Sequence, residues 1–247
     1  MRGTVLITGG SRGIGAATAV LLAQQGWHVC VGYKSGHEAA EQVVTECEKR
    51  GARALAIQTD LAHEAEVVSL FDQVDKFGTL RALVNNAGIV GPRNRVDEFS
   101  YERVVNMMVV NVVGPIMCAR EAVRRMSTIH GGSGGVIVNV SSAASRLGSP
   151  GEYVDYAASK GAIDTMTLGL AKEVAGEDIR VNAVRPGLID TGIHASGGQP
   201  NRLEELEPGI PMKRRGHSIE VAEAIAWLCS EKASYVTGAF IDISGGR

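Results

Sequence analysis

The chain has 247 residues, of which 45% are hydrophobic and 21% charged, as in many globular enzymes, and its 31 glycines predict tight turns or close backbone approaches to a ligand. Its formal net charge of −2 argues against a nucleic-acid partner, because a general nucleic-acid binder carries a basic excess. The four cysteines have neither CxxC spacing nor histidine partners, which predicts no metal site and is typical of a reducing cytoplasm.

Apolar runs alternate along the chain with segments of helical periodicity. The predicted strands are 4–8, 28–33, 54–58, 82–85, 135–140, 180–184 and 239–243. The predicted helices are 13–26, 38–50, 64–76, 101–126, 153–175 and 221–230. Seven strands interleaved with six long helices predict an α/β fold, a doubly wound parallel sheet with helices on both faces.

No linker or low-complexity tract divides the chain, so residues 1–247 are predicted to form a single domain. An irregular segment rich in glycine and proline, at about 190–216, is predicted to be a substrate loop that includes a short helix from Arg202 to Leu206. We find no leader-like start and no run of about 18 apolar residues, and we therefore expect a cytoplasmic protein with no membrane partner.

The first strand runs directly into a glycine-rich turn that opens the first helix. Gly9 permits the tight turn, Gly13 lets the backbone approach a pyrophosphate, and Gly15 lets the helix pack close to the strand. The helix N-terminus then offers free N–H groups and a partial positive charge to phosphates. The candidate cofactor contacts in this turn are Gly9, Ser11, Arg12, Gly13, Ile14 and Gly15.

The ends of two later strands add further candidate cofactor contacts. Asn86, Ala87 and Gly88 follow the fourth strand, whose carboxyl end faces the ligand crevice of such a sheet. Asp60, which Leu61 follows, comes after the third strand. We expect Asp60 to accept a hydrogen bond from an adenine amine, to cap the next helix, or to do both.

The choice of cofactor is set after the second strand. NAD sites place an acid there for the ribose 2′-hydroxyl, but this chain has Lys34 and no acid before Glu38. Lys34 and Arg12 are two cations suited to a 2′-phosphate. We therefore expect NADP to be preferred, with NAD as the second option; the alternative is that Lys34 points to solvent and both cofactors are used.

Tyr156 and Lys160 are four residues apart on a predicted helix and therefore share one face. A phenol with its ordinary pKa of about 10 is a poor acid or base at neutral pH. A nearby ammonium group, together with the positive nicotinamide of an oxidised cofactor, favours the phenolate and lowers that pKa. The pair therefore predicts proton transfer by Tyr156.

Two more polar positions point to the same crevice. Ser142 ends the fifth strand, where a hydroxyl can hold a substrate oxygen, although capping or turn formation is the alternative. Asn111 lies in an apolar stretch of the long helix and needs hydrogen-bond partners there. It is either a structural hydrogen-bonding residue or part of a water-mediated proton path.

Taken in order, these pieces resemble the short-chain dehydrogenase/reductase family over essentially the whole chain. The matching motifs are Thr8-Gly-x-x-x-Gly-x-Gly15, Asn85-Asn-Ala-Gly88, Asn111, Ser142, Tyr156-x-x-x-Lys160 and Arg185-Pro-Gly187. Residues 154–160 and 235–246 resemble bacterial members described as glucose or sugar-alcohol dehydrogenases. The resemblance implies a Rossmann-type fold and an oxidoreductase that transfers a hydride between a nicotinamide cofactor and a small carbonyl or alcohol substrate.

The resemblance also implies roles for individual residues. Tyr156 would be the general acid/base and would also contact the cofactor, and Lys160 would bind the nicotinamide ribose and lower the tyrosine pKa. Ser142 would orient the carbonyl, and Asn111 would hold a water of the proton relay. The nicotinamide pocket would be lined by Pro186, Gly187, Ile189 and Thr191.

One departure from the family pattern leaves the serine open. The interval from Ser142 to Tyr156 is longer than in many members, so Ser141 and Ser145 stay alternatives. Ser142 is favoured because it ends the strand.

The substrate is less well specified than the chemistry. Predicted substrate contacts are His194, Met212, Tyr153 and Glu152, whose carboxylate would suit the hydroxyls of a polyol. The alternative activity is reduction of 3-oxoacyl groups on acyl carrier protein, which basic Arg124 and Arg125 favour and acidic Glu177 and Asp178 disfavour. A further alternative is a non-catalytic dinucleotide-sensing protein.

The family resemblance implies a homotetramer as well. The long helices 101–126 and 153–175 would form one interface, and the C-terminal strand region would form another. Gly161, Ala162 and Gly169 would permit close packing there.

Overall fold

A computed structural model describes residues 2–192 and 202–247. Its strands are β1 (Thr4–Thr8), β2 (His28–Tyr33), β3 (Ala54–Gln58), β4 (Leu80–Asn85), β5 (Gly135–Val140), β6 (Ile179–Pro186), β7 (Ile189–Asp190), β8 (Gly216–His217) and β9 (Phe240–Ile243). Seven of them form one parallel sheet in the order β3-β2-β1-β4-β5-β6-β9, and β7 pairs with β8. The predicted doubly wound parallel sheet is confirmed.

The α-helices are α1 (Gly13–Gln24), α2 (His37–Glu48), α3 (Glu64–Phe77), α4 (Tyr101–Met108), α5 (Gly114–Met126), α6 (Ala144–Leu147), α7 (Val154–Val174), α8 (Arg202–Leu206) and α9 (Ser218–Leu228). The predicted short helix in the substrate loop is α8. The predicted helix 101–126 is continuous, but a π-helical turn at Val109–Val113 separates α4 from α5. His194, one predicted substrate contact, lies outside the described residues.

Two apolar layers hold the helices on the sheet. On one face, Leu22 of α1, Val44 of α2 and Ile225 of α9 belong to one buried cluster. On the other, Phe71 of α3 and Cys118 of α5 belong to a second cluster, together with residues of α7. Because both faces are covered, the central strand β1 is buried at every position, which explains its apolar run Val5-Leu6-Ile7.

The strand order places the ligand crevice. From β1 the chain builds outward through β2 and β3, and it then returns to the other side of β1 with β4. The helices that follow β1 and β4 therefore diverge to opposite faces, leaving a gap at the carboxyl ends of these two strands. Both the glycine-rich turn and residues 86–88 lie at this edge of the sheet.

The helix Tyr101–Met126 differs from one expectation. Its length and a mean hydropathy of 1.3 over 18 residues would suffice to cross a membrane, whereas we expected no such stretch. In this fold Cys118, Ala122 and Met126 pack against the sheet as part of the second cluster. Core helices of globular proteins meet the same criterion, so the hydropathy alone assigns no membrane role.

Candidate active site

The glycine-rich turn leaves no room for side chains at its critical positions. Gly9 has φ +62°, and a Cβ there would lie 2.9 Å from the Cα of Ala87. Gly13 has φ +55°, and its Cβ would lie 3.3 Å from the Thr191 side chain. A Cβ on Gly15 would meet the Gly9 carbonyl oxygen and, at 2.6 Å, Asn86 Nδ2. The backbone can thus approach a ligand closely, as a pyrophosphate site requires.

Thr8 and Asn86 lock this turn to the end of β4. The Asn86 side chain donates hydrogen bonds to the carbonyl oxygens of Thr8 and Gly9, both at 2.9 Å. The Thr8 hydroxyl accepts from the backbone N–H groups of Asn86 and Ala87 at 3.1 Å. The first helix α1 starts without a side-chain cap or an acid in its first turn. Its first N–H groups therefore have no side-chain acceptor at the N-cap, and such a helix N-terminus at the edge of the crevice fits a phosphate.

Asp60 and Lys34 form an ion pair at the far end of the crevice. Lys34 Nζ lies 2.6 Å from Asp60 Oδ2, and the Lys34 side chain is 67% exposed. Asp60 Oδ1 accepts from the Ala62 N–H at 3.0 Å. Burial opposes ionisation of Asp60, but the hydrogen bonds from Lys34 and Ala62 outweigh it and lower the pKa. The N-cap of α3 is His63, so the prediction that Asp60 caps this helix was wrong: the carboxylate stabilises the turn before it.

The predicted site residues converge on one cleft of about 850 Å³. Two of them, Gly15 and Asn111, lie behind its wall. The cleft runs from the ion pair of Lys34 and Asp60, past the glycine-rich turn, to Tyr156. The predicted residues that line it are Gly9, Ser11, Arg12, Gly13, Ile14, Lys34, Asp60, Leu61, Asn86, Ala87, Gly88, Ser142, Tyr156, Lys160, Pro186, Gly187, Ile189 and Thr191.

Ser142 is the serine that the fold brings to Tyr156. The two side chains are hydrogen-bonded, and Ser142 Oγ also accepts from the Ala144 N–H at 3.1 Å. Ser141 instead donates to Asp164 Oδ1 at 2.6 Å on the buried side of the strand. Ser145 donates to the Ser142 carbonyl oxygen at 2.8 Å. The two alternatives are therefore engaged elsewhere, and the longer interval before Tyr156 does not displace Ser142.

Burial shapes the proton affinities of the tyrosine and the lysine in opposite directions. It raises the pKa of Tyr156 to about 12, although the hydrogen bond with Ser142 works to lower it. It lowers the pKa of Lys160 to about 8, although the Asp164 carboxylate works to raise it. Lys160 Nζ lies 5.7 Å from the Tyr156 ring centroid and donates to the Val140 carbonyl oxygen at 2.8 Å. The predicted fall in the tyrosine pKa stays a prediction for the enzyme with oxidised cofactor.

Asn111 owes its position to the π-helical turn. The turn inserts one residue into the helix and directs the Asn111 side chain inward, where it is 1% exposed. Its Oδ1 accepts from the Ile89 N–H at 2.8 Å, and its Nδ2 donates to the Ile89 carbonyl oxygen at 2.9 Å. The amide thereby fixes the loop after β4 directly behind Gly88 and Lys160. These bonds establish a structural role, and the water-mediated path stays a prediction.

A buried ion pair beneath Lys160 was not predicted from the sequence. Arg185 Nη2 lies 2.9 Å from Asp164 Oδ2, and both side chains are largely buried. Asp164 follows Lys160 by one helical turn, so the i, i+4 spacing was the signal available in the sequence. Its partner, on β6, was visible only in the tertiary structure. The pair anchors Ser141 and the segment of α7 that carries Lys160.

The substrate end of the cleft differs from the predicted polyol site. Glu152 and Tyr153 line it, as does Arg202, which was not predicted as a site residue. Both carboxylate oxygens of Glu152 are bound by Arg202, at 2.9 and 2.6 Å. Glu152 is thus committed to an arginine and is not directed at substrate hydroxyls. Met212 does not line this cleft; it is 60% exposed.

Comparison with known proteins finds oxidoreductases that are similar to this chain over nearly its whole length. The sequence profile of a family described as enoyl-(acyl carrier protein) reductase matches residues 9–247. An uncharacterized oxidoreductase of Escherichia coli strain K12, YgfF, is 56% identical over 98% of both chains. A 3-oxoacyl-[acyl-carrier-protein] reductase of Staphylococcus aureus strain Mu50 is 35% identical over 100% of this chain and 98% of its own. Glucose 1-dehydrogenase 2 of Bacillus subtilis strain 168 is 36% identical over 98% and 93%.

Solved structures similar to this chain include two short-chain dehydrogenases. A mutant form of a short-chain dehydrogenase/reductase of Serratia marcescens has a TM-score of 0.90 at 32% identity, covering 98% of this chain and 96% of its own. A short-chain dehydrogenase of Burkholderia cenocepacia J2315 in complex with NADP has a TM-score of 0.90 at 33% identity with the same coverage. The chain belongs to the short-chain dehydrogenase/reductase family of oxidoreductases.

Proposed function

We propose that this protein is an NADP-preferring oxidoreductase that interconverts a carbonyl and an alcohol on a small molecule. The observation that carries the proposal is the contact of Tyr156 with Ser142, beside Lys160, at one end of a cleft that continues to the glycine-rich turn. The cradle without side chains at Gly9 and Gly13 fits a dinucleotide pyrophosphate.

The chain's own residues supply the proton chemistry. In the direction of reduction, the Tyr156 hydroxyl donates its proton to the carbonyl oxygen, while the Ser142 hydroxyl holds that oxygen as charge develops on it. A bound nicotinamide supplies the hydride that the carbonyl carbon receives. Lys160 stabilises the resulting phenolate by its charge. Asn111 keeps the loop behind Lys160 in place.

The preference for NADP is supported by charge. Arg12, within the glycine-rich turn, and Lys34, at the far end of the cleft, both line it. A 2′-phosphate competes with Asp60 for Lys34, and a doubly charged phosphate is the stronger partner for an ammonium group. NAD lacks this group, so it is expected to bind more weakly while still being used. The relative from B. cenocepacia, solved with NADP, supports this assignment.

The test is turnover of NADPH and NADH, followed by nicotinamide absorbance, against ketones, diketones, sugars and 3-oxoacyl thioesters. We expect turnover with NADPH that Tyr156→Phe abolishes while its NADPH affinity, measured by fluorescence titration, stays unchanged. Lys34→Ala is expected to lower the ratio of kcat/KM for NADPH to kcat/KM for NADH. Tight NADPH binding with no turnover of any compound would instead identify the dinucleotide-sensing alternative.

The reductase of acyl-carrier-protein substrates is the second candidate, favoured by the S. aureus relative. Its predicted basic docking residues are engaged within the fold. Arg125 is bound by Glu121, Asp72 and Asp75, and Arg124 is bound by Glu121. The charge they would offer a carrier protein is therefore largely compensated.

We further propose a cytoplasmic homotetramer. All four cysteines are buried free thiols, which suits a reducing compartment. Two separate groups of exposed apolar side chains offer two interfaces, as a dihedral tetramer needs. One group, on the helices 101–126 and 154–174, includes Val113 and Leu168, and the other, near the C-terminus, includes Trp227 and Tyr235.

A further inference from the structure

Three arginines surround one carboxylate at the substrate end of the cleft. Arg202 is 5% exposed and binds both oxygens of Glu152. Arg93 Nη2 lies 3.8 Å from Glu152 Oε1, but the Arg93 side chain is 58% exposed and does not line the cleft. Arg202 and Arg247 do line it. The hydrogen bond from Arg202 has the largest effect on the pKa of Glu152 and lowers it, whereas burial raises it. The charges of Arg93 and Arg247 lower this pKa further, so all three arginines act on Glu152.

This cluster lies close to the reacting groups. The guanidinium carbon of Arg202 is 4.7 Å from the Tyr153 ring centroid. The Tyr153 ring in turn contacts the Tyr156 ring edge to face, with centroids 5.7 Å apart. One aromatic ring therefore separates the cluster from the proton donor. A substrate of a few carbon atoms can place its carbonyl at Tyr156 and a second group at the arginines.

The charges at this end of the cleft do not balance. Two arginines, Arg202 and Arg247, line this end of the cleft, and Arg202 occupies both oxygens of Glu152. Arg247, and Arg93 next to Glu152, add positive charge that Glu152 does not compensate. Among the described residues that line the cleft, the other acid is Asp60, which lies at the opposite end and is paired with Lys34. Like charges held together in a partly enclosed site repel one another unless an anion joins them.

We propose that the substrate of this oxidoreductase carries an anionic group, a carboxylate or a phosphate, that Arg247 binds from the lining of the cleft. Arg93 adds positive charge next to Glu152, and the Arg202–Glu152 pair positions both arginines. The inference rests on the proposed carbonyl–alcohol chemistry. Guanidinium groups present paired N–H donors that match the oxygens of either anion. A neutral sugar or a simple ketone would leave the positive charge uncompensated.

The test compares matched substrates on the holoenzyme with NADPH. Short 2-oxo and 3-oxo carboxylates are paired with their methyl esters, and phosphorylated carbonyl compounds with their unphosphorylated forms. We expect kcat/KM to favour the anionic member of at least one pair by about tenfold or more. Which pair shows the preference distinguishes carboxylate from phosphate.

Variants locate the effect. Arg247→Gln is expected to reduce the preference for the anion strongly, mainly through KM, and Arg93→Gln is expected to reduce it less. Arg95→Gln is the matched control, because Arg95 lies on the same loop as Arg93, is 74% exposed and pairs with Asp97. Binding is measured separately by thermal unfolding of the NADP complex with malonate or inorganic phosphate. Either anion should raise Tm more in the wild type than in Arg247→Gln.

Three experimental outcomes would contradict the anionic-substrate inference or the proposed function, and each identifies which of the two is wrong. Equal or better turnover of the neutral members, with no Tm response to either anion, would overturn the inference and leave the proposed reductase intact. A preference for the anionic substrate that Arg93→Gln and Arg247→Gln both retain in full would also overturn it. No turnover of any carbonyl compound by wild type, despite bound NADPH, would overturn the proposed function itself.

Discussion

Burial raises the pKa of Tyr156 to about 12, so the phenol is protonated at neutral pH and is a weaker acid than an ordinary tyrosine. In the proposed mechanism, carbonyl reduction needs a phenol that gives up its proton, and alcohol oxidation needs the phenolate. The charge of Lys160 and the positive nicotinamide of an oxidised cofactor favour the phenolate and lower this pKa. We therefore expect proton transfer by Tyr156 to depend on both charges.

The two directions are expected to differ in pH dependence. With oxidised cofactor, whose charge lowers the tyrosine pKa, the phenolate fraction increases as pH rises from neutrality, so kcat for alcohol oxidation should rise. With reduced cofactor, which lacks that charge, Tyr156 stays protonated near neutrality, so its deprotonation should not lower kcat for carbonyl reduction there. The pKa of Lys160, lowered to about 8 by burial, means that its charge is lost in the same range and limits the rise in oxidation. Rate profiles of both reactions over pH, at saturating cofactor, check this. An oxidation rate that falls steadily from neutrality upward would contradict it.

The π-helical turn within the helix 101–126 shows how one element serves the site. Asn111→Ala would leave the N–H and carbonyl groups of Ile89 without their partner, at a cost of about 1–3 kcal/mol in the free energy of unfolding. It should also lower kcat, because the loop behind Lys160 loses its anchor. Asn106→Ala, on the exposed face of the same helix, is the control and should change stability by less than about 0.5 kcal/mol. Urea unfolding and turnover measure both effects, and equal losses in the two variants would contradict this account.

The glycine-rich turn is an element with no spare volume. In Gly15→Ala the new methyl group would collide with the Gly9 carbonyl and the Asn86 amide, so the turn must move, at about 1–3 kcal/mol. We expect weaker NADPH binding by fluorescence titration and a lower Tm. Gly176→Ala, where nothing lies within 4 Å, should leave both unchanged. Unaltered NADPH affinity in Gly15→Ala would show that the turn does not hold the cofactor.

At the scale of the molecule, the two exposed apolar groups predict how the assembly separates. Leu168→Glu places a charge on the helix interface, and Tyr235→Glu places one near the C-terminus, where the tyrosine is 100% exposed. If each group forms one interface of a dihedral tetramer, each variant should give dimers and the double variant monomers. Light scattering coupled to size exclusion measures the mass. Val96→Glu, exposed but outside both groups, is the control and should stay tetrameric; monomeric wild type would refute the tetramer.

Local and periodic features were readable from the chain. The alternation of apolar strands with helical segments was enough to predict the parallel sheet, because strands that are buried on both faces need apolar runs. The glycine-rich turn was readable because its glycines stand directly between a strand and a helix, where the backbone approaches a ligand. The residues that exclude side chains at Gly9 and Gly13, Ala87 and Thr191, come from distant segments and were not readable. The shared face of Tyr156 and Lys160 follows from the pitch of one helix.

Features that depend on contacts between distant segments were not readable in this way. The assignment of Ser142 rather than Ser141 or Ser145 depends on the direction in which each side chain leaves the end of β5, and Asp164 on α7 draws Ser141 away. The commitment of Glu152 to Arg202, 50 residues later, removed the predicted polyol contact. The order of residues along the chain determines which of them can form a helical turn or a strand. Charge pairing between remote residues depends instead on the packing that brings their segments together. This packing gives the substrate end of the cleft its chemistry.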